Sequence, residues 1–202
     1  MDAPTPQAPS TYFKPMTLAL AGLAVLAAAT AVLPLSIRPW NFAALGALAL
    51  FASARLRLPV AFALFVAALA LKELGVYLQY GFPPHPPTWI CYAVYAAVGY
   101  AFLRKTESPF WIAGGAFSAS VLFFLVTNFG AWLQQALPYG YSLEGLINCY
   151  TAALPFYRGT FFGDMIFSAA LFGAHAALSH AYFPAERVGV VTETVRETEG
   201  EW

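Results

Sequence analysis

A chain of 202 residues that is 60% hydrophobic and only 10% charged is excluded from the ordinary soluble domains, in which about a quarter of the residues carry charge. Its mean hydropathy of +0.64 describes a polytopic membrane protein instead. Ten basic and ten acidic side chains cancel, so there is no basic footprint for a nucleic acid, and partners must be sought in the lipid bilayer and among small molecules.

In chain order, residues 1–14 are rich in proline and alanine and read as a disordered cytoplasmic tail. A transmembrane domain over 15–183 follows, and 184–202, ending in VTETVRETEGEW, forms an acidic tail. The first span, Met16 to Leu35, has only Lys14 ahead of it besides proline-rich sequence, and more apolar segments follow it. That pattern predicts a retained span rather than a cleaved signal peptide. Turn signals divide the remainder into spans at 41–56, 58–78, 88–103, 110–135 and 160–182. The expected fold is therefore all-α with six transmembrane helices. The second and fourth are shorter than the roughly 17 to 25 residues a crossing needs, so they should pack inside the bundle or meet a thinned bilayer edge.

Cytoplasmic loops collect Lys and Arg. With the N-terminus inside, Lys14, Arg55, Arg57, Arg104, Lys105, Arg187 and Arg196 are cytoplasmic, against Arg38, Lys72 and Arg158 outside. The expectation is an inner-membrane protein with both termini in the cytoplasm. Inner connections are tight, whereas GFPPHPPT and the stretch from Gln134 to Thr160 make longer outer loops, the kind that carry function. Within the latter, YSLEGLINCYTAALPFY predicts an outer interfacial or re-entrant helix, with Ser142 as its N-cap and Pro155 limiting its end. A crossing by this segment would move the C-terminus outside.

Glu73 and Asp164 are the two acids within spans, where an ionised group is expensive and usually functional. Both fall near the outer ends, as do Asn41 and Asn128, and helical rise puts all four within about 10 Å of that boundary. The expected result is a polar, outward-facing pocket. Asp164 also has a structural reading, as an acid in the first turn of its own helix with Arg158 across the turn. For Glu73 no such reading offers itself, because Lys72 points about 100° away, while Tyr77 lies one turn further along the same face. Trp132 shares a face with Asn128 and serves either as a stacking partner or, like Trp40 and Trp89, as an interfacial belt.

His175 lies about 16 Å deeper than Asp164 and reads as packing, together with His180. His85 has no second ligand near it. No metal, cofactor, hydrolase or phosphate-loop motif is present, so the sequence does not point to an enzyme. Cys91 and Cys149 read as packing residues, with their pairing left open. Small residues at four-residue spacing, Ala24 with Ala28 and Ala27 with Ala31, then Ala43 with Ala47 and Ala49 with Ser53, allow close helix approach.

These features resemble the substrate-binding S components of energy-coupling-factor vitamin transporters. The segments RPWNFAALGALALFASARL, FFLVTNFGAWL and GLINCYTAALPFYRGTFFGDMIFSAALFG also resemble an uncharacterised bacterial membrane-protein family distantly similar to them. The resemblance implies a protein that captures a micronutrient outside and works with a transmembrane coupling protein and two ATPase subunits. It also implies a docking ridge at Ala24, Ala28 and Ala31. The substrate-binding residues expected from depth are Asn41, Glu73, Tyr77, Asn128, Trp132, Arg158 and Asp164. The alternative is an accessory subunit of a larger membrane complex, whose polar residues join helices, and a third is a small intramembrane enzyme using Glu73 or Asp164.

Overall fold

Proline and glycine set the helix boundaries. The computed structural model describes residues 41–81, 86–135 and 137–182, with Gly22, Val25, Ala29, Thr30 and Leu33 besides. Both expected tails, nearly all of the first span with Ala24, Ala28 and Ala31, and Trp40 and His85 lie outside the described residues. Among those described the structure is all-helical. Helix α1 is Leu45–Arg55 and α2 is Leu58–Tyr80, with Pro59 in its first turn and Gly81 closing it at a φ of 72°. Helix α3 is Pro86–Val98, continued by a π-helical turn at Gly99–Leu103, while α4 (Pro109–Leu133) and α5 (Leu143–Ala181) complete the bundle.

Three of these helices, α2, α4 and α5, are long and apolar enough to cross a membrane. The expected six transmembrane helices are not supported. At about 1.5 Å per residue, the eleven residues of α1 reach about 17 Å, short of a hydrocarbon core about 30 Å thick. Helix α1 takes the other course open to a short helix that is apolar all round, which is burial. Every residue from Leu45 to Ala54 is buried, with α2, α3 and α5 packed around it. Outside this core, Phe62, Leu78, Ile90, Phe102, Phe110 and Trp111 are exposed, as apolar side chains facing acyl chains would be.

Helix α5 corrects two further expectations. Ser142 does cap it, accepting a hydrogen bond from the Gly145 amide at 3.0 Å. Pro155 does not end it, however, and the helix runs on for 39 residues, so there is no separate interfacial helix and the long outer loop shrinks to 134–142. Proline removes one amide and frees the carbonyl of Thr151, a defect membrane helices tolerate when neighbours pack around it. The neighbour here is α4, antiparallel to α5, joined to it by Tyr150 Oη donating to the Leu125 carbonyl at 2.7 Å and by the Phe124–Tyr157 and Phe117–Phe161 ring contacts.

At the far end of the bundle, the Arg55 guanidinium donates to the Leu103 carbonyl at 2.6 Å and to the Thr106 carbonyl, and lies over the Phe172 ring. This brings Arg55 and Arg57 to the same end as Arg104 and Lys105. His175 stacks edge-on against Phe51 at that level. Cys91 and Cys149 are free thiols.

Glycine sets how closely α1 and α3 approach. A methyl on Gly99 would collide with the Leu50 carbonyl oxygen and Ser53 Oγ, and a backbone atom cannot swing aside. Gly99→Ala is therefore expected to cost about 1–3 kcal/mol and to lower the unfolding temperature in detergent. Gly114→Ala, where the added methyl meets nothing, is the control and should leave it unchanged or slightly raised.

Candidate functional site: a cavity at the start of α1

At the end opposite Arg55, five segments surround a cavity of about 420 Å³. Helical spacing explains the contributors. Helix α3 turns Thr88, Tyr92 and Tyr95 to one face, at i, i+4 and i+7. Helix α5 turns Ala153, Tyr157, Thr160 and Asp164 to one face in the same way, with Phe156 beside them. Helix α4 supplies Phe123, Phe124, Thr127 and Asn128, α2 supplies Lys72, and the approach to α1 supplies Asn41, Ala43, Leu45 and Gly46. The walls are largely aromatic: Tyr92 and Phe123 lie 4.9 Å apart between ring centroids, Phe124 and Tyr157 4.7 Å, and Tyr95 joins the first pair at 5.3 Å from Phe123.

Asp164 sits at the floor, 2% exposed. The Tyr95 hydroxyl donates to its Oδ2, the Ala47 backbone amide lies against the same carboxyl, and the buried Ser120 hydroxyl faces both Tyr95 and Asp164. Ala47 is in the first turn of α1, where amides have no intrahelical acceptor, and the α1 N-cap residue, Ala44, offers no side-chain cap. Asp164 thus caps α1 from another helix and lies at the positive end of its dipole. The expected structural role at a helix start is met at a different helix: Asp164 stands well inside α5, and Arg158 is exposed and does not line the cavity. Gly46 makes the contact possible, since a Cβ there would overlap Asp164 Oδ1 and lie 2.7 Å from the Tyr95 ring.

Glu73 does not line the cavity. It is buried, 4% exposed, and its Oε1 receives the Lys72 ammonium at 2.9 Å, the ion pair found among the described residues. The angle of about 100° between neighbouring side chains was expected to keep the two apart, but lysine's four-carbon stem is long enough to curl back across it. Lys72, which the depth argument set beside Glu73 but which was not among the expected binding residues, is the one of the two that lines the cavity.

Of the other expected site residues, Asn41 and Asn128 line the cavity, while Tyr77 and Trp132 do not. Asn41 adopts a left-handed φ of 58°, which asparagine tolerates. Asn128 spends one amide hydrogen on the Phe124 carbonyl of its own helix at 2.7 Å. Tyr77 is exposed, and the Trp132 indole donates to the Gly140 carbonyl at 2.9 Å, pinning the 134–142 connection. Trp89 packs on the Leu45, Leu48, Ala68 and Leu69 cluster. Tyr92, Tyr95, Phe123, Phe124, Tyr157 and Thr160 line the cavity without having been among the expected site residues. Their helical spacing was readable, but an aromatic residue in an apolar span faces lipid, core or cavity with the same spacing.

Fold and site together define an all-helical membrane protein with a small-molecule-sized cavity between its helices. The chain belongs to a family of unknown function, DUF6580, whose model matches residues 11–187. No curated protein and no solved structure matches it.

Tyr95→Phe should leave a buried carboxyl oxygen without its donor and lower stability by about 1–3 kcal/mol. Asp164→Asn combined with Tyr95→Phe should cost less than the sum of the two single changes, because they share one interaction. Denaturation of the four proteins in detergent measures this; strict additivity would mean the two side chains do not cooperate.

Proposed function

We propose that the protein binds a small solute in the α1–α5 cavity and serves as the membrane-embedded substrate-binding component of an uptake system, of the S-component kind. The single observation that carries this reading is the cavity. Its volume of about 420 Å³ falls within the range of small-molecule sites, about 300–1,000 Å³, and its walls are aromatic with a few polar groups, the usual make-up of such sites. The cavity lies at the end remote from Arg55, Arg57, Arg104 and Lys105, and the positive-inside rule puts those cations in the cytoplasm and the cavity mouth outside. In this reading both termini are cytoplasmic, the membrane is the bacterial inner membrane, and the solute is a micronutrient.

Release of the solute inward would need a further device. A transmembrane coupling protein with ATPase subunits supplies one, and the small residues Ala24, Ala28 and Ala31 of the first span would form its docking ridge. Asn41, Asn128, Thr160 and Lys72 are the polar groups proposed to meet the solute. Asp164 and Tyr95 hold the floor in shape, and Glu73 holds Lys72.

The test is native mass spectrometry of the detergent-purified protein for a small bound mass, repeated with Ala153→Trp, which puts an indole into the cavity from the α5 wall. The wild type should carry a mass that the variant lacks, with both proteins equally stable to heat. Retention of the same mass by the tryptophan variant would place binding elsewhere and remove the cavity from the proposal.

A further inference from the structure

The chemical class of the solute can be argued from the charges and rings of the same cavity, so this inference rests on the cavity being a ligand site. The two carboxylates near it differ from the one ammonium in what they have left to offer. Asp164 accepts from the Tyr95 hydroxyl and lies against the start of α1, so its oxygens are already engaged. A cationic solute would have to compete with those bonds. Glu73 is buried behind Lys72 and does not reach the cavity. Lys72 gives one hydrogen to Glu73 at 2.9 Å, and an ammonium has three. It is the cationic side chain among the described lining residues, half-covered and held in place by its partner.

The rings supply the second half of the argument. Tyr92 with Phe123, and Phe124 with Tyr157, form two aromatic pairs contributed by α3, α4 and α5. Phe123 and Phe124 both line the cavity from α4, so a flat ring can stack on or meet the edges of either pair. An aliphatic solute would fill this space without using its shape.

We infer that the cavity takes a flat heteroaromatic acid, its ring against the Tyr92–Phe123 and Phe124–Tyr157 pairs and its carboxylate on the Lys72 ammonium. Glu73 then acts as a positioning residue, orienting Lys72 toward the cavity. No covalent step is involved.

The experiment measures affinities of the purified full-length protein in lipid nanodiscs by calorimetry. The probes are pyridine carboxylate and quinoline carboxylate, each against its carboxamide and its aminomethyl analogue, with cyclohexane carboxylate as the ring control. The heteroaromatic carboxylates should bind about tenfold or more tightly than the amides and amines, the increment expected of a charge-assisted hydrogen bond. Cyclohexane carboxylate should bind more weakly than either aromatic acid. Lys72→Met should erase the preference for carboxylate over amide, and Lys72→Arg should keep it. Because Lys72→Met strands the buried Glu73, the double change Lys72→Met with Glu73→Gln repeats the measurement without the orphaned charge.

Binding of the amines in preference to the acids, or an undiminished acid preference in the double variant, overturns the assignment of ligand class and leaves the cavity as a binding site. Absence of binding by every probe, together with absence of any small mass on the protein purified from its own cells, overturns the binding function itself.

Discussion

The cap that Asp164 places on α1 is the contact on which the cavity end of the structure depends. Helix α1 begins without a side-chain cap of its own, and the residues of its first turn are buried. A buried amide without an acceptor is costly in any protein, and more so where the surroundings are lipid. The carboxylate of Asp164 answers that need from α5, and the Tyr95 hydroxyl ties the same carboxylate to α3. Three helices thereby meet at one oxygen pair, with Gly46 leaving the space for it. The cavity is the room left above this junction.

The two intramembrane acids solve the problem of a buried charge differently. Glu73 is neutralised locally by the residue next to it in the chain, and the pair turns its cationic member to the cavity. Asp164 is met by dipoles and hydrogen bonds from other helices, with no full positive charge beside it. The first arrangement sets an ammonium beside its acid, whereas the second ties α5 to α3 and to the start of α1. A buried charge is tolerated in either case only because its partner is in place, so each acid also fixes the position of the group that partners it.

The opposite end of the bundle is closed by different means. Arg55 binds the carbonyls of Leu103, the last residue of the π-helical turn, and of Thr106, and covers the Phe172 ring, so the end of α1, the α3–α4 connection and α5 are drawn together. The π-helical turn at Gly99–Leu103 begins at Gly99, where the chain after α3 packs tightly on α1. With its start capped by Asp164 and its last residue held through Arg55, α1 is fixed at both ends and works as the axis around which the membrane-length helices pack.

Much of this was legible in the residues. Hydropathy identified a helical membrane protein, proline and glycine marked where α2 and α4 begin and α2 ends, Ser142 announced the start of α5, and the shortness of the second span signalled burial inside the bundle. Pattern was enough for these because each depends on local chemistry: apolar length, a fixed φ, a hydroxyl placed to accept an amide. The depth argument also singled out Asn41, Asn128 and Asp164, which the structure brings around one cavity. What local chemistry does not contain is the partner across space. Nothing near Asp164 in the chain shows that it caps α1, nor does anything near Pro155 show that α4 lies alongside and lets the helix continue. The exchange of Glu73 for Lys72 at the cavity wall turned on how one long side chain folds back over its neighbour. The rings of Tyr92, Phe123 and Tyr157 become a wall only when three helices turn them to the same space, because a helix fixes the face a residue occupies and only packing decides what that face meets.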